Sequence, residues 1–290
     1  MNRTGSKHRI GVLAALATVV LLATACEPWE ASNIAGFSPA AHHVRDSYTQ
    51  DQGMATVYRS RPSGSEYRTF VYGGENVAKR LSDQGWTHLG DPDSLDGYIA
   101  YPYQYKTSDA TVGKMFEVVT PHGRRFQYTH PLDSGEEYNN SFAAISPDGQ
   151  WLVSGEWDVQ DRLLVFPMPM LNHSVPSGNR SLAVASTIDL SEPVTQIQGC
   201  DFLDATHLIC SVDDTQKRLI EVTLSSALSG STVTGTVKSL GKLPQISTCK
   251  GSFESEGIDY DPVTDLLRVE VIRPGSCIYQ TDEYVYRAKP

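Results

Sequence analysis

Positive charge is scarce in this chain. Its 24 Lys and Arg stand against 34 Asp and Glu, for a net charge of −10 over 290 residues. A nucleic-acid binder needs a basic face to neutralise phosphates, so that class is excluded. Long apolar runs are scarce as well. Residues 10–25 are uncharged, but this run falls short of the roughly 20 residues that a spanning helix needs. No ten-residue segment holds a convincing 3.6-residue period, which excludes a helical bundle. Neither H-E-x-x-H nor G-x-S-x-G occurs, and there is no glycine-rich phosphate loop. Cysteines number only five, and none sits at the C-x2-4-C spacing of a zinc knuckle. Apolar residues, at 40% of the chain, are frequent enough to offset chain entropy, so a folded core is expected.

The uncharged run has a charged preface in Arg3, Lys7 and Arg9 and a small-residue end, Leu22-Ala23-Thr24-Ala25-Cys26. This is the grammar of an export signal over residues 1–25. Ala23-x-Ala25 suits an ordinary signal peptidase, which would release a soluble protein. The same letters followed by cysteine resemble a bacterial lipobox, which implies lipidation at Cys26. The expectation is an extracytoplasmic protein, held to the cell membrane only by a lipid on Cys26 or else secreted. Residues 26–35 would form the linker and 36–290 a single domain, expected as a monomer. Losing Arg3, Lys7 and Arg9 takes the mature charge from −10 to −13.

An odd cysteine count in an exported protein asks for an explanation. With Cys26 lipidated, Cys200, Cys210, Cys249 and Cys277 remain, and an oxidising compartment favours two disulfides. Of three possible pairings, Cys200–Cys210 with Cys249–Cys277 is preferred. The segment CDFLDATHLIC reads as a hairpin about Ala205, which sets Cys200 opposite Cys210.

The body of the chain repeats. Four segments share a short apolar strand, a tight turn and a second apolar strand: residues 87–102, 142–157, 199–211 and 257–271. Aligned on their turns they place Pro92, Pro147, Leu203 and Pro262 in register, 55, 56 and 59 residues apart. A weaker copy at 36–49 puts Pro39 another 53 residues upstream. Third strands follow at 114–120, 162–169, 217–224 and 282–287, with 56–61 in that part for the first copy. Four-stranded units at such spacing predict an all-β fold, a β-propeller of about five blades of 53–59 residues, with six left open. The last unit ends at its third strand, so the ring is expected to close through an N-terminal strand.

AISPDGQWLVSGEW (144–157) resembles the repeat of TolB-type and WD40-like exported bacterial propellers, in which an S-P-D-G turn joins two inner strands. SEGIDYDPVTDLLRV is similar to a segment of esterase-like phytase and lactonase-type propellers. That resemblance implies that Glu256 points into a central channel and can help to hold a metal.

Candidate chemistry is spread over several places. Asp91, Asp93 and Asp96 in DPDSLDG gather three carboxylates in one turn, the oxygen-rich setting of Ca²⁺, with Glu256 as a further ligand. Glu256, Glu156 at a strand end and His88 on an inner strand are the catalytic candidates. Tyr101, Tyr103 and Tyr105 alternate along YPYQY and so share one strand face, a surface suited to sugars or to a protein. The resulting expectation is a binding module for an extracellular ligand or protein. The alternative is a Ca²⁺-dependent hydrolase working through channel carboxylates.

Overall fold

The structure is a computed structural model, and it describes residues 29–47, 52–61, 63–74, 76–107 and 109–289. Residues 1–25, read above as an export signal, and Cys26 lie outside the described residues. Within them, strands dominate, and no helix is long and apolar enough to cross a membrane.

Five short strands touch in a closed circuit: Met54–Ser60, Asp93–Leu95, Ala144–Ile145, Ile197–Asp204 and Glu254–Asp261, which returns to Met54–Ser60. Each begins an antiparallel meander that runs outward. From Asp93–Leu95 the order is Tyr98–Tyr105, Lys114–Val119 and Arg125–His130. From Ala144–Ile145 it is Trp151–Ser154, Val159–Pro167 and Ser186–Thr195, and from Ile197–Asp204 it is His207–Val212, Arg218–Leu224 and Val233–Lys242. The apolar clusters lie between successive sheets. Val153, Leu163 and Val165 pack with Leu208 and Ile220, and Ile209 and Leu219 with Leu267 and Val269. A sandwich has one such interface; here it recurs around a centre. The chain is a β-propeller.

A middle strand covered on both faces can be buried throughout rather than alternately. Lys114–Val119 is buried at all six positions, and its charged members are ion-paired: Lys114 with Glu136, and Glu117 with Arg80 and Arg125. The S-P-D-G turn has a local cause. Ser146 Oγ donates to Asp148 Oδ1 at 2.5 Å and accepts the Trp151 N–H at 2.9 Å, while Gly149 supplies a φ of +70°.

The last sheet is Glu254–Asp261, Leu266–Ile272 and Gln280–Ala288, with Phe37–Asp46 added at its outer edge. An N-terminal strand thus completes the sheet built by the C-terminal end, paired from Phe37 opposite Ala288 to Asp46 opposite Gln280. This corrects the reading of 36–49 as a hairpin, since Pro39 lies within one continuous strand. Residues 56–61 also change place. Met54–Ser60 is an innermost strand, and its sheet has only Glu66–Tyr72 beside it. Pro92 is not at a turn either; the chain reverses at Asp96-Gly97, where φ is +51° and +76°. Both disulfides pair as expected. Cys200 faces Cys210 across a hairpin, and Cys249–Cys277 ties the approach to Glu254–Asp261 to the 3-10 turn Gly275–Cys277.

Candidate functional site

Asp91 fills the hub. Its N–H donates to the Ser141 carbonyl at 2.8 Å, and its own carbonyl accepts the Ala143 N–H at 2.9 Å. Its carboxylate accepts the Met54 and Ile258 N–H groups, each at 3.0 Å. Three glycines make room for it. A Cβ on Gly53, Gly199 or Gly257 would fall 2.0, 2.2 or 2.2 Å from an Asp91 carboxylate oxygen. Burial pushes the Asp91 carboxyl well above its ordinary range, with the Glu270 and Asp201 charges adding to it and the two N–H bonds opposing.

Around Asp91, three more aspartates each accept a backbone N–H from the neighbouring inner strand. Asp201 takes Tyr260 at 2.6 Å, Asp259 takes Thr56 at 2.7 Å, and Asp93 takes Ile145 at 2.6 Å. Ser94 Oγ continues the pattern by donating to the Thr56 carbonyl at 2.5 Å. Innermost strands have one edge with no strand partner, and these side chains cap the backbone groups exposed there. Burial raises Asp93 to about 7 against its bonds to the Ile145 and Ser94 N–H groups, with the Asp259 charge contributing. Burial likewise raises Asp201, helped by the charges of Asp93 and Asp259. Asp259 is raised by burial too, although Arg268 lies 2.9 Å away and pulls it down.

One mouth of this channel opens into a cleft of about 670 Å³. Asp93 and Asp259 line it together with Tyr58, Tyr67, Tyr260 and His122. Tyr58 is oriented by donating to the Asp261 carboxylate at 2.9 Å, which also meets Arg68 at 3.1 Å. Burial pushes Asp261 up, but bonds from Thr264, Tyr58 and the Val263 N–H outweigh it and hold the carboxyl below its usual range.

The residues singled out in the sequence scatter relative to this centre. Asp91 and Asp93 belong to it, in hub and channel, but their oxygens are engaged with different backbone groups. Asp96 is exposed at the hairpin turn, so DPDSLDG is not one ligand loop. Glu256 is 1% exposed and immediately precedes Gly257; its carbonyl accepts the Ser211 hydroxyl. Glu156 accepts the Glu137 N–H at 2.7 Å and faces Arg162 at 3.4 Å, beside a separate pocket of about 250 Å³. His88 is on Trp86–Leu89 and does not line the cleft; burial lowers its ring to about 4. The tyrosine row turns inward. Tyr103 is buried, and Tyr101 and Tyr105 pack with it against Trp86, Leu89 and Met115. The row forms part of a core cluster, which corrects the reading of an open binding face.

Asp201 and Asp259 were not gathered as a pair from the sequence, yet a signal exists. Gly199-Cys200-Asp201 and Gly257-Ile258-Asp259 are the same G-x-D phrase at the same place in two inner strands. Glycine admits the hub carboxylate, and the aspartate two residues later bonds to the next strand.

No family model matches this chain, and no curated protein does. Solved structures of low identity do match. The calcium-binding protein regucalcin of Agrobacterium tumefaciens is 11% identical over 88% of this chain and 96% of its own, with a TM-score of 0.47. A GH43_1 enzyme of Xanthomonas citri is 12% identical over 88% and 87%, with a TM-score of 0.43. The Swd1 β-propeller domain of Myceliophthora thermophila is 11% identical over 76% and 60%, at 0.37.

Proposed function

We propose that the protein is an exported five-bladed propeller, anchored by a lipid on Cys26, that binds a small polar ligand in the cleft lined by Tyr58, Tyr67 and Tyr260. The observation that carries this reading is the state of the channel. Asp91 is wedged among three glycines, and the carboxylates of Asp93, Asp201 and Asp259 are bonded to backbone N–H groups. Carboxylates held in this way support a rigid frame more than a hydrolytic centre, which needs oxygens free to hold a metal or a water. The cleft, by contrast, is open and sets polar side chains among aromatic walls, a make-up that suits a ligand site.

The cleft is tested by thermal shift against a panel of simple saccharides, with Tyr67→Ala and His122→Ala as variants. Both side chains are at least partly exposed, so the fold should be unaffected. A sugar that raises the wild-type melting temperature and fails to raise that of the variants supports the site. Equal shifts in all three proteins would place binding elsewhere. The same melts with Ca²⁺ and with EDTA address the hydrolase alternative, which requires calcium to stabilise the folded chain. The anchor is tested by Cys26→Ala, which should move the protein from the membrane fraction to the medium. A variant still found with membranes would refute the anchor.

A further inference from the structure

A loop away from the cleft carries a different chemistry. His130 ends the strand Arg125–His130, and Asp133 and Glu136 follow at three-residue steps. One ligand atom from each lies within 4.8 Å of the other two; among the described residues no other three His, Cys, Asp or Glu meet in this way.

Two of the three are aimed by bonds on their far side. His130 Nδ1 lies 2.9 Å from the Leu182 carbonyl, and a carbonyl only accepts, so Nδ1 carries a proton. That turns Nε2 toward Glu136 Oε2, at 2.8 Å. Glu136 Oε1 accepts from the Lys114 ammonium at 2.5 Å, which leaves Oε2 on the histidine side, where the Asp133 N–H also donates at 3.0 Å. Such outer bonds fix the tautomer and orientation of metal-ligating histidines and carboxylates. In the neutral ring, the Nε2 lone pair faces a carboxylate oxygen at 2.8 Å, and two acceptors cannot share that distance unaided. As it stands the contact is a hydrogen bond through a proton on Nε2. A metal ion is too large to lie between atoms 2.8 Å apart, and would bind by taking the place of that proton as the two groups part slightly.

Burial divides the trio usefully. His130 is 2% exposed and packs edge-on against Phe166, with ring centroids 5.1 Å apart, whereas Asp133 is exposed. The arrangement is preformed on one side and reachable from solvent on the other. One imidazole and two carboxylates match the mixed nitrogen and oxygen set of Zn²⁺ rather than the all-oxygen sets of Ca²⁺ and Mg²⁺.

The geometry points to a Zn²⁺-type transition-metal site formed by His130 Nε2, Asp133 and Glu136 Oε2, oriented from behind by the Leu182 carbonyl and Lys114. Nothing in it depends on the cleft. Lys114 offsets part of the negative charge, so the site is an exchangeable one that opens to solvent.

The test uses the full chain, stripped with a chelator and titrated with ZnCl₂ by calorimetry, with MgCl₂ in parallel. One Zn²⁺ per chain and no Mg²⁺ uptake are expected. Asp133→Asn should weaken Zn²⁺ binding at least about tenfold, with melting in EDTA unchanged, because it removes an exposed ligand and little packing. His130→Gln should abolish binding. If that variant does not fold, Asp133→Asn is read together with X-ray absorption at the zinc edge of the wild type, which must show an imidazole ligand. Absence of stoichiometric uptake overturns the proposal, as does uptake that Asp133→Asn leaves unchanged. A His130 Nε2 proton that persists by NMR in excess Zn²⁺ also overturns it and marks the trio as a plain ion pair.

Discussion

Asp91 and Glu117 are both completely buried, yet they are satisfied in opposite ways. Glu117 lies on a middle strand and meets two guanidinium groups, Arg80 at 2.6 Å and Arg125 at 2.7 Å, whose side chains reach in from the surface. Asp91 lies at the hub and is bonded through its carboxylate to backbone N–H groups from two other strands. At Glu117 the buried acid is matched by two cations that are themselves half in water. In the channel, Asp91, Asp93 and Asp201 have backbone N–H groups and one another for company, and burial, with the neighbouring acids, favours their protonated forms against the pull of those N–H bonds. Only Asp259 has a cation there, Arg268. The difference follows from space. Glycines bring the inner strands so close that a long basic side chain has no room at the hub, while a short carboxyl fits and bridges two strands.

That account fails if the hub tolerates a methyl group. Gly257→Ala would put a Cβ 2.2 Å from both the Gly53 Cα and an Asp91 oxygen, and neither is the free end of a flexible chain. Overpacking of this kind costs about 3 kcal/mol or more where backbone must move. Gly123→Ala is the peripheral counterpart. It has open space around it and only a φ of +79° to accommodate, so it should cost about 1 kcal/mol. Urea melts of the two variants should therefore differ by about 2 kcal/mol, with Gly257→Ala the lower. Equal midpoints would mean that the inner strands are not packed around Asp91 in this way.

Much of this division is legible in the sequence, and the unread part has physical reasons. The S-P-D-G turn and the Cys200–Cys210 hairpin are local, set by turn chemistry over a dozen residues, and both are where the sequence puts them. The three-strand last unit points to closure by an N-terminal strand, which Phe37–Asp46 supplies; the hairpin reading of 36–49 fails because nothing local says that the segment pairs with residues 280–288. The first sheet was misread because it has two strands where the repeat implies four. YPYQY shows that its tyrosines alternate, but alternation is silent on whether a neighbouring sheet covers that face. The channel carboxylates are harder still. Asp91, Asp93, Asp201 and Asp259 come from three strands and the approach to one of them, and only the recurrence of glycine two residues before an aspartate hints that they meet.

A smaller effect sharpens the contrast between channel and blade through pH. Asp93 is raised to about 7, so between its unfolded value and 7 the folded chain holds a proton that the unfolded chain has lost. Stability from this group is present at acid pH and is lost as pH rises through 7. His88 works in the opposite sense. Its ring is lowered to about 4, so its contribution is lost as pH falls through about 6.5 toward 4 and levels off about one unit above 6.5. Between pH 6.5 and 8 the channel dominates, with His88 opposing it by about 0.4 kcal/mol in wild type and variant alike. Across that window, Asp93 alone should reduce unfolding free energy by about 1 kcal/mol, with Asp201 and Asp91 adding in the same direction. Asp93→Asn removes one titrating group, and its stability should fall less over that window than the wild type's, whatever the amide does to the absolute value. Parallel lines for wild type and Asp93→Asn would show that Asp93 does not hold a proton up to neutral pH, and the special character given to the channel carboxylates would then be lost.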